Sequence, residues 1–152
     1  MFQKVNDIAS CETFAGIYNS AILLFDAKER ADATGDIFLE QLHSDVNYIY
    51  YDGDGTAAAF FSYRQRSGNA FELTSLYVKR ECQRKGVGQR CCLFLEELLP
   101  KGSTLYVEVL KNAAWSIDFY HKMGFADVAD GEAAAKLGIK ASPWSAILRK
   151  EL

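Results

Sequence analysis

Between Ala70 and Leu110 the chain reads as strand, glycine turn, helix and strand in unbroken succession, and no other feature limits its folds so far. The run AFELTSLYV, Ala70–Val78, is rich in β-forming residues. ECQRKGVGQR follows it. Val87, Cys91, Leu95, Leu98 and Leu99 then recur at helical spacing until Pro100 and Gly102 end the run. In Leu105–Leu110, Leu105, Val107 and Val109 face one way and Tyr106, Glu108 and Leu110 the other. Two strands joined by a helix predict a parallel pair with a right-handed crossover. Such a sheet needs helices over its faces. The expected class is therefore α/β: a mixed sheet of about six or seven strands inside a three-layer α/β/α domain.

The flanking segments fit that class. Phe2–Asn6 predicts a short strand. Asn6 or Asp7 then caps a helix carrying Ile8, Cys11, Phe14, Ala15, Tyr18 and Ile22 at helical spacing. After a polar turn from Asp26 to Ala33, Thr34 predicts a second cap, with Ile37, Phe38 and Leu42 on one face. Val46–Tyr51, Thr56–Arg64 and Ala70–Val78 predict an antiparallel meander, turning at Asp52-Gly53-Asp54-Gly55 and at Ser67-Gly68-Asn69. The acidic turn resembles the start of a calcium loop, but the later ligands and the closing glutamate are missing. Asn112 predicts the cap of a helix reaching Met123, with Gly124 as its C′ residue and Phe125 folding back. Phe125–Val128 and Trp144–Lys150 predict strands, and alanine-rich Gly131–Gly138 a short helix. With no repeat and no low-complexity linker, one domain over residues 1–152 is expected.

Composition narrows the function classes. Apolar residues at 49% with charged residues at 24% mark a globular chain. A formal net charge of −3 argues against wholesale nucleic-acid binding. No run is long and apolar enough to span a bilayer, and the opening MFQKVN leads into no apolar signal region. A cytoplasmic protein without membrane or nucleic-acid partners is the expectation. Cys11, Cys82, Cys91 and Cys92 form no CxxC pair, and His43 and His121 are the only histidines. No metal site is expected, and the thiols read as reduced, small core residues.

The glycine turn carries the chemistry. A helix start leaves backbone N–H groups unpaired and bears partial positive charge. Gly86 and Gly88 permit close approach to those groups, and Arg84, Lys85 and Arg90 add full charges. Together they describe a phosphate cradle. No Gly-Lys-Ser or Gly-Lys-Thr follows, as a Walker loop requires, and Cys91 stands where a dinucleotide fingerprint needs a third small residue. A plain strand-to-helix turn and a nucleotide-binding α/β domain stay open on the loop alone.

Gln83-Arg84-Lys85-Gly86-Val87-Gly88 resembles the Q/R-x-x-G-x-G/A signature of the GNAT superfamily of N-acetyltransferases. The strand FELTSLYV stands at the expected distance before it. LYVEVLKNAAWSIDFYHKMGFADV, after it, is similar to the second signature of that family, and AILRKEL resembles its last strand. The resemblance is clear over residues 70–128; the N-terminal half agrees in its order of elements. It implies acetyl-CoA as co-substrate, no metal, and direct acetyl transfer to a primary amine of a small molecule or peptide. It places the diphosphate on the amides of Arg84, Lys85, Gly86, Val87, Gly88 and Gln89, with Gln83 opening the loop. The pantetheine arm would pair with Leu76, Tyr77 and Val78, the amide of Leu76 polarising the thioester carbonyl. Strands Ala70–Val78 and Leu105–Leu110 would splay to admit it. Lys85 replaces the more frequent arginine, and Asn112 bonds the arm or caps its helix.

An amine attacks only when neutral, and an alkylammonium of pKa ~10.4 is handicapped by roughly 4–5 kcal/mol at neutral pH. A base is therefore valuable. Glu108 and Glu72 match glutamates used as bases in branches of the family, and a water-mediated base is equally open. Tyr120 stands at the position of the usual acid for the departing sulfur. His121, about 100° further round the helix, reads as surface. Acceptor choice would lie near residues 18–45 and 129–144, with Tyr18, Asp32, Asp36, Glu40, Asp130 and Glu132. The resemblance leaves a homodimer open. It also leaves open a non-catalytic acyl-CoA-binding sensor of the same fold.

Overall fold

The computed structural model describes residues 1–22, 32–129, 138 and 142–152. The predicted helix at 131–138, all but its last residue, and most of the polar turn after Asp26 lie outside these. In chain order the elements are β1 (Phe2–Val5), α1 (Ala9–Ile22), α2 (Leu39–Ser44), β2 (Val46–Tyr51), β3 (Ala57–Ser67), β4 (Ala70–Val78), α3 (Val87–Leu98), β5 (Thr104–Leu110), α4 (Ala114–Lys122), β6 (Ala126–Asp127) and β7 (Ser145–Glu151). Short 3-10 turns precede α2 at Gly35–Phe38 and α3 at Arg80–Cys82. The strands make one mixed, open sheet in the order β1-β2-β3-β4-β5-β7-β6. The parallel pairing expected from the sequence is present: β4 and β5 pair from Ala70↔Thr104 to Leu73↔Val107. Two compact units divide the chain, Met1–Tyr63 with Ser75–Leu93 and Arg64–Thr74 with Phe94–Leu152.

In the first unit α1 and α2 cover one face of the sheet. Cys11, Phe14, Ala15, Ile17 and Leu42 pack on Val5, Ile49 and Phe60, and Phe14 stacks on Phe60 at 4.6 Å between centroids. Strand alternation turns Tyr48 and Tyr50 to the other face. There Tyr48 stacks on Phe61 at 5.3 Å, and Arg90 of α3 donates to the Tyr50 hydroxyl at 2.9 Å. Gly35 lets the 3-10 turn press on α1: a Cβ there would stand 2.5 Å from Glu12 Oε1 and 3.1 Å from the Cys11 carbonyl carbon.

Three apolar residues assigned to buried stripes are exposed instead. Ile8 precedes the first turn of α1 and is solvent-facing. Ile37 lies in a 3-10 turn, whose period of about three brings Gly35 and Phe38 inward together and leaves Ile37 outside. Leu98 lies about 60° round the helix from Leu95, at the edge of a buried arc that also takes in Cys92.

In the second unit β5 pairs with β7 along seven residues, Thr104↔Glu151 to Leu110↔Ser145. Asn112 is not the cap of α4. Lys111 and Asn112 form a turn closed by Ala113 N–H to Leu110 O at 3.0 Å, so the helix begins one residue later with Ala113 at its N-cap. Its far end follows the predicted form. Gly124, at φ 94°, donates to His121 O, and Phe125 donates to Tyr120 O at 2.9 Å. The Phe125 ring packs on Tyr120 at 5.3 Å, completing a Schellman cap with its apolar contact.

All four cysteines are buried and none is in a disulfide, as expected of thiols used in packing. Burial, with Cys92 adding, pushes the Cys91 thiol from its ordinary 9.0 up to about 12. The half-buried Tyr77 phenol is likewise raised by burial and then by Tyr18, from 10.0 to about 12. Unfolded, both groups ionise at their ordinary values; folded, they resist. The stability they contribute is present below about pH 9 and lost as pH rises towards about 12. Thermal melts across that range should show a falling Tm; a flat profile would contradict the packing of both groups.

Candidate functional site

The glycine turn is built from both sides before any ligand is considered. The Lys79 amide donates to Ala58 O at 2.8 Å, fixing the end of β4 on β3. Gln83 Nε2 donates to Val78 O at 2.9 Å, folding the loop back on the strand it leaves. Ser20 of α1 accepts from the Arg80 amide at 2.9 Å and donates to Glu81 at 3.2 Å. Arg84 then adopts a left-handed φ of 60°, Gly86 a φ of 79°, and α3 begins at Val87. The bond from Arg90 N–H to Gly86 O, at 3.0 Å, closes the first turn. Residues 83–86 form a turn, and among the described residues no well-aligned backbone hydrogen bond is donated by the amides of 84–89. Left-handed residues interleaved with ordinary ones point successive N–H groups into one concavity, which suits an anion. Left-handed Arg84 costs about 1–2 kcal/mol, and strain of this kind concentrates where function needs it.

Of the three cations read from the sequence, Arg84 and Lys85 are exposed, whereas Arg90 is engaged with Tyr50. Gly86 has nothing within 4 Å of where a Cβ would stand, so the cradle is open on that side. Val87 is buried beneath the loop, Gly88 half-buried and Gln89 exposed. Cys82, beside the loop, is buried, and burial raises its thiol first, with Glu81 adding. Leu76, Tyr77 and Val78 are half-buried on the last turn of β4 before the loop. Tyr77 meets Phe60 at 5.5 Å and Tyr18 at 5.0 Å. The ladder from β4 to β5 has four rungs and ends at Leu73↔Val107, although β4 runs on to Val78 and β5 to Leu110.

The second unit holds the remaining candidates. Register sets Glu72 beside Tyr106, and alternation sets Glu108 on the same face. The two carboxylates differ sharply in surroundings. Glu72 is buried, and its Oε1 accepts from Arg66 Nε at 2.8 Å and Nη2 at 2.6 Å. Glu108 is exposed. Tyr120 is buried, with Phe119 at 5.1 Å and Phe125 at 5.3 Å. His121 lies at the surface, 3.0 Å from Asp127, as expected. Asn112 is exposed and lines a cavity of about 300 Å³ with Leu110, Lys111, Pro143 and Trp144. Trp144, read from the sequence as the start of the last strand, stands before β7 and is 75% exposed on this cavity. Of the acceptor-side residues, Asp32, Asp36 and Glu40 are exposed and Tyr18 half-buried, while Asp130 and Glu132 lie outside the described residues. Among the described residues no cluster of metal-ligating side chains occurs, and no helix is long and apolar enough to cross a membrane.

A model of the acetyltransferase (GNAT) family matches residues 11–125. Solved structures share the fold over the whole length. PaiA N-acetyltransferase from Thermoplasma acidophilum, in complex with coenzyme A, aligns with a TM-score of 0.73 at 17% identity, covering 100% of this chain and 99% of that one. The Salmonella typhimurium protein yncA, with its cofactor acetyl-CoA, gives 0.67 at 20% identity over 100% and 93%. Ribosomal-protein-alanine N-acetyltransferase from Brucella melitensis gives 0.67 at 18% identity over 100% and 99%. Among curated proteins none matches in sequence.

Proposed function

This chain belongs to the GNAT acetyltransferase family, and from that premise we propose that it moves the acetyl group of acetyl-CoA directly to a primary amine of a small molecule or peptide. The observation that carries the reading is the run of amides at 84–89 where α3 opens, bent into a nest by left-handed Arg84 and Gly86. These amides hold the diphosphate, and Arg84 and Lys85 add charge at its rim. The coenzyme supplies an activated thioester. The backbone of Leu76–Val78 holds the arm, and the Leu76 amide donates to the thioester carbonyl oxygen. The residues need no metal for this chemistry. A cytoplasmic location belongs to the same proposal.

The ammonium loses one proton to a base, the new N–C bond forms as the C–S bond breaks, Tyr120 gives its hydroxyl proton to the leaving sulfur, and the second proton shed by the acylated nitrogen restores the phenol. Glu108 is the better base. Glu72 is buried and its Oε1 already accepts two hydrogen bonds from Arg66, whereas Glu108 is exposed to an approaching amine. Protonating Glu72 would also leave a partly buried guanidinium unpaired.

Thiol release from acetyl-CoA across a panel of amines tests the proposal. Release with at least one amine is expected. Coenzyme A binding without release would leave a non-catalytic binding module, and no binding would remove the reading. Glu108→Gln should lower kcat/KM at neutral pH by roughly 10²-fold, with the deficit closing as pH approaches the amine's own pKa and the neutral amine needs no base. Glu72→Gln should instead lower stability by about 2 kcal/mol in thermal melts, with a smaller kinetic effect. The reverse ranking in the pH–rate profiles would move the base to Glu72.

A further inference from the structure

We propose that Gln41, on α2, is a positioning residue for acetyl transfer, acting through Ser75 on the strand edge beside Leu76; this rests on the reading above. Ser75 Oγ donates to Gln41 Oε1 at 2.7 Å. Gln41 Nε2 donates to Ser62 Oγ at 2.8 Å, and Ser62 Oγ donates to Asn47 Oδ1 at 2.6 Å. Asn47 Nδ2 returns to the end of α2, donating to Asp45 O at 2.9 Å, Leu42 O at 3.3 Å and Gln41 O at 3.5 Å. Every bond runs the same way, donor to acceptor, from β4 through α2, β3 and β2 and back to the backbone of Gln41. Such a chain polarises each of its members and resists distortion.

Ser62 and Asn47 are buried almost completely, so that half of the circuit is part of the core, while Gln41 and Ser75 are half-buried at its edge. Ser75 is its only member on β4. A core needing only polar satisfaction could close through Ser62 and Asn47, since both serve the end of α2 without Ser75. The Ser75 bond does something further: it fixes the strand one residue before the amide assigned to the thioester. The cradle has its own fastenings at Gln83, Lys79 and Ser20. Anchoring of the diphosphate and placement of the thioester therefore depend on different residues, and kinetics can separate them.

Gln41→Leu fills similar space without hydrogen bonds, and Ser75→Ala removes only the donor on β4. Each is expected to lower the single-turnover rate roughly tenfold and to leave the Kd for coenzyme A within about twofold. The double variant should lose no more than either single one, because the two side chains act as one unit. Gln41→Glu keeps an acceptor for Ser75 and should recover much of the rate. Ser62→Ala leaves the Ser75–Gln41 bond in place and should lower Tm more than rate. If Gln41→Leu fails to fold, Ser75→Ala alone decides. An unchanged rate in Ser75→Ala, additive losses, or equal losses in Ser62→Ala and Gln41→Leu would overturn the inference. These outcomes leave the transferase reading intact, since that stands or falls on thiol release by the unaltered protein.

Discussion

Replacing Gly86 with aspartate is expected to abolish coenzyme A binding in calorimetry while the protein stays folded. Gly86 has a φ of 79°, and nothing lies within 4 Å of an added Cβ. Aspartate enters the left-handed region at about 1–2 kcal/mol, which a domain of this size survives. Its carboxylate would stand in the concavity formed by the amides of 84–89. At about 4 Å from a phosphate oxygen and an effective dielectric of about 20, like charges repel by ~4 kcal/mol, roughly a thousandfold in affinity. Gly86→Ala separates the causes, because it shares the strain without the charge. Alanine should weaken binding modestly and aspartate beyond detection. Retained affinity in Gly86→Asp would remove the diphosphate from this loop. Equal losses in both variants would show backbone geometry, rather than charge, to be decisive.

The turn was legible in the sequence because two glycines and three cations interrupt an otherwise regular strand and helix. Its conformation was only half legible. Gly86 takes the left-handed geometry glycine allows, but the second such position falls on Arg84, while Gly88 lies inside α3. A left-handed arginine has no signature in sequence; surrounding contacts impose it. Helices show the same division. Spacing reveals that a stripe exists, but its phase depends on where the first turn starts and on how tightly it winds. Hence Ile8, Ile37 and Leu98 were misplaced by a fraction of a turn.

Long-range polar partners are the larger gap. Glu72 and Glu108 look alike as residues on adjacent strands, and only the hairpin that returns Arg66 to Glu72 sets them apart. Its turn at Gly68 was predicted, so this pair was within reach of a register argument. Gln41 was not. It is one polar residue on a six-residue helix, and its partner on β4 is 34 residues away. Apolar patterns declare their side of a sheet, whereas a hydrogen bond is specific to two atoms and leaves no period to read.

Changing Tyr120 to phenylalanine should cost turnover rather than binding. The substitution removes one oxygen from a buried ring and keeps the contacts with Phe119 and Phe125 that close α4. Loss of a hydroxyl's hydrogen bonding costs about 1 kcal/mol of stability, so the variant should fold. If the hydroxyl protonates the leaving sulfur, the single-turnover rate should fall by about 10²–10⁴, with the Kd for coenzyme A nearly unchanged. Single turnover matters because slow product release would hide a loss in chemistry. An equal rate in both proteins would remove Tyr120 from the mechanism, and a loss in Kd matching the loss in rate would make it a binding residue. Paired with Gly86→Asp, the measurement also divides an enzyme from a sensor. A chain that only binds acyl-CoA would lose affinity with the aspartate and show no thiol release for the phenylalanine to diminish. A transferase must fail in two separable ways, at the cradle in affinity and at the phenol in rate.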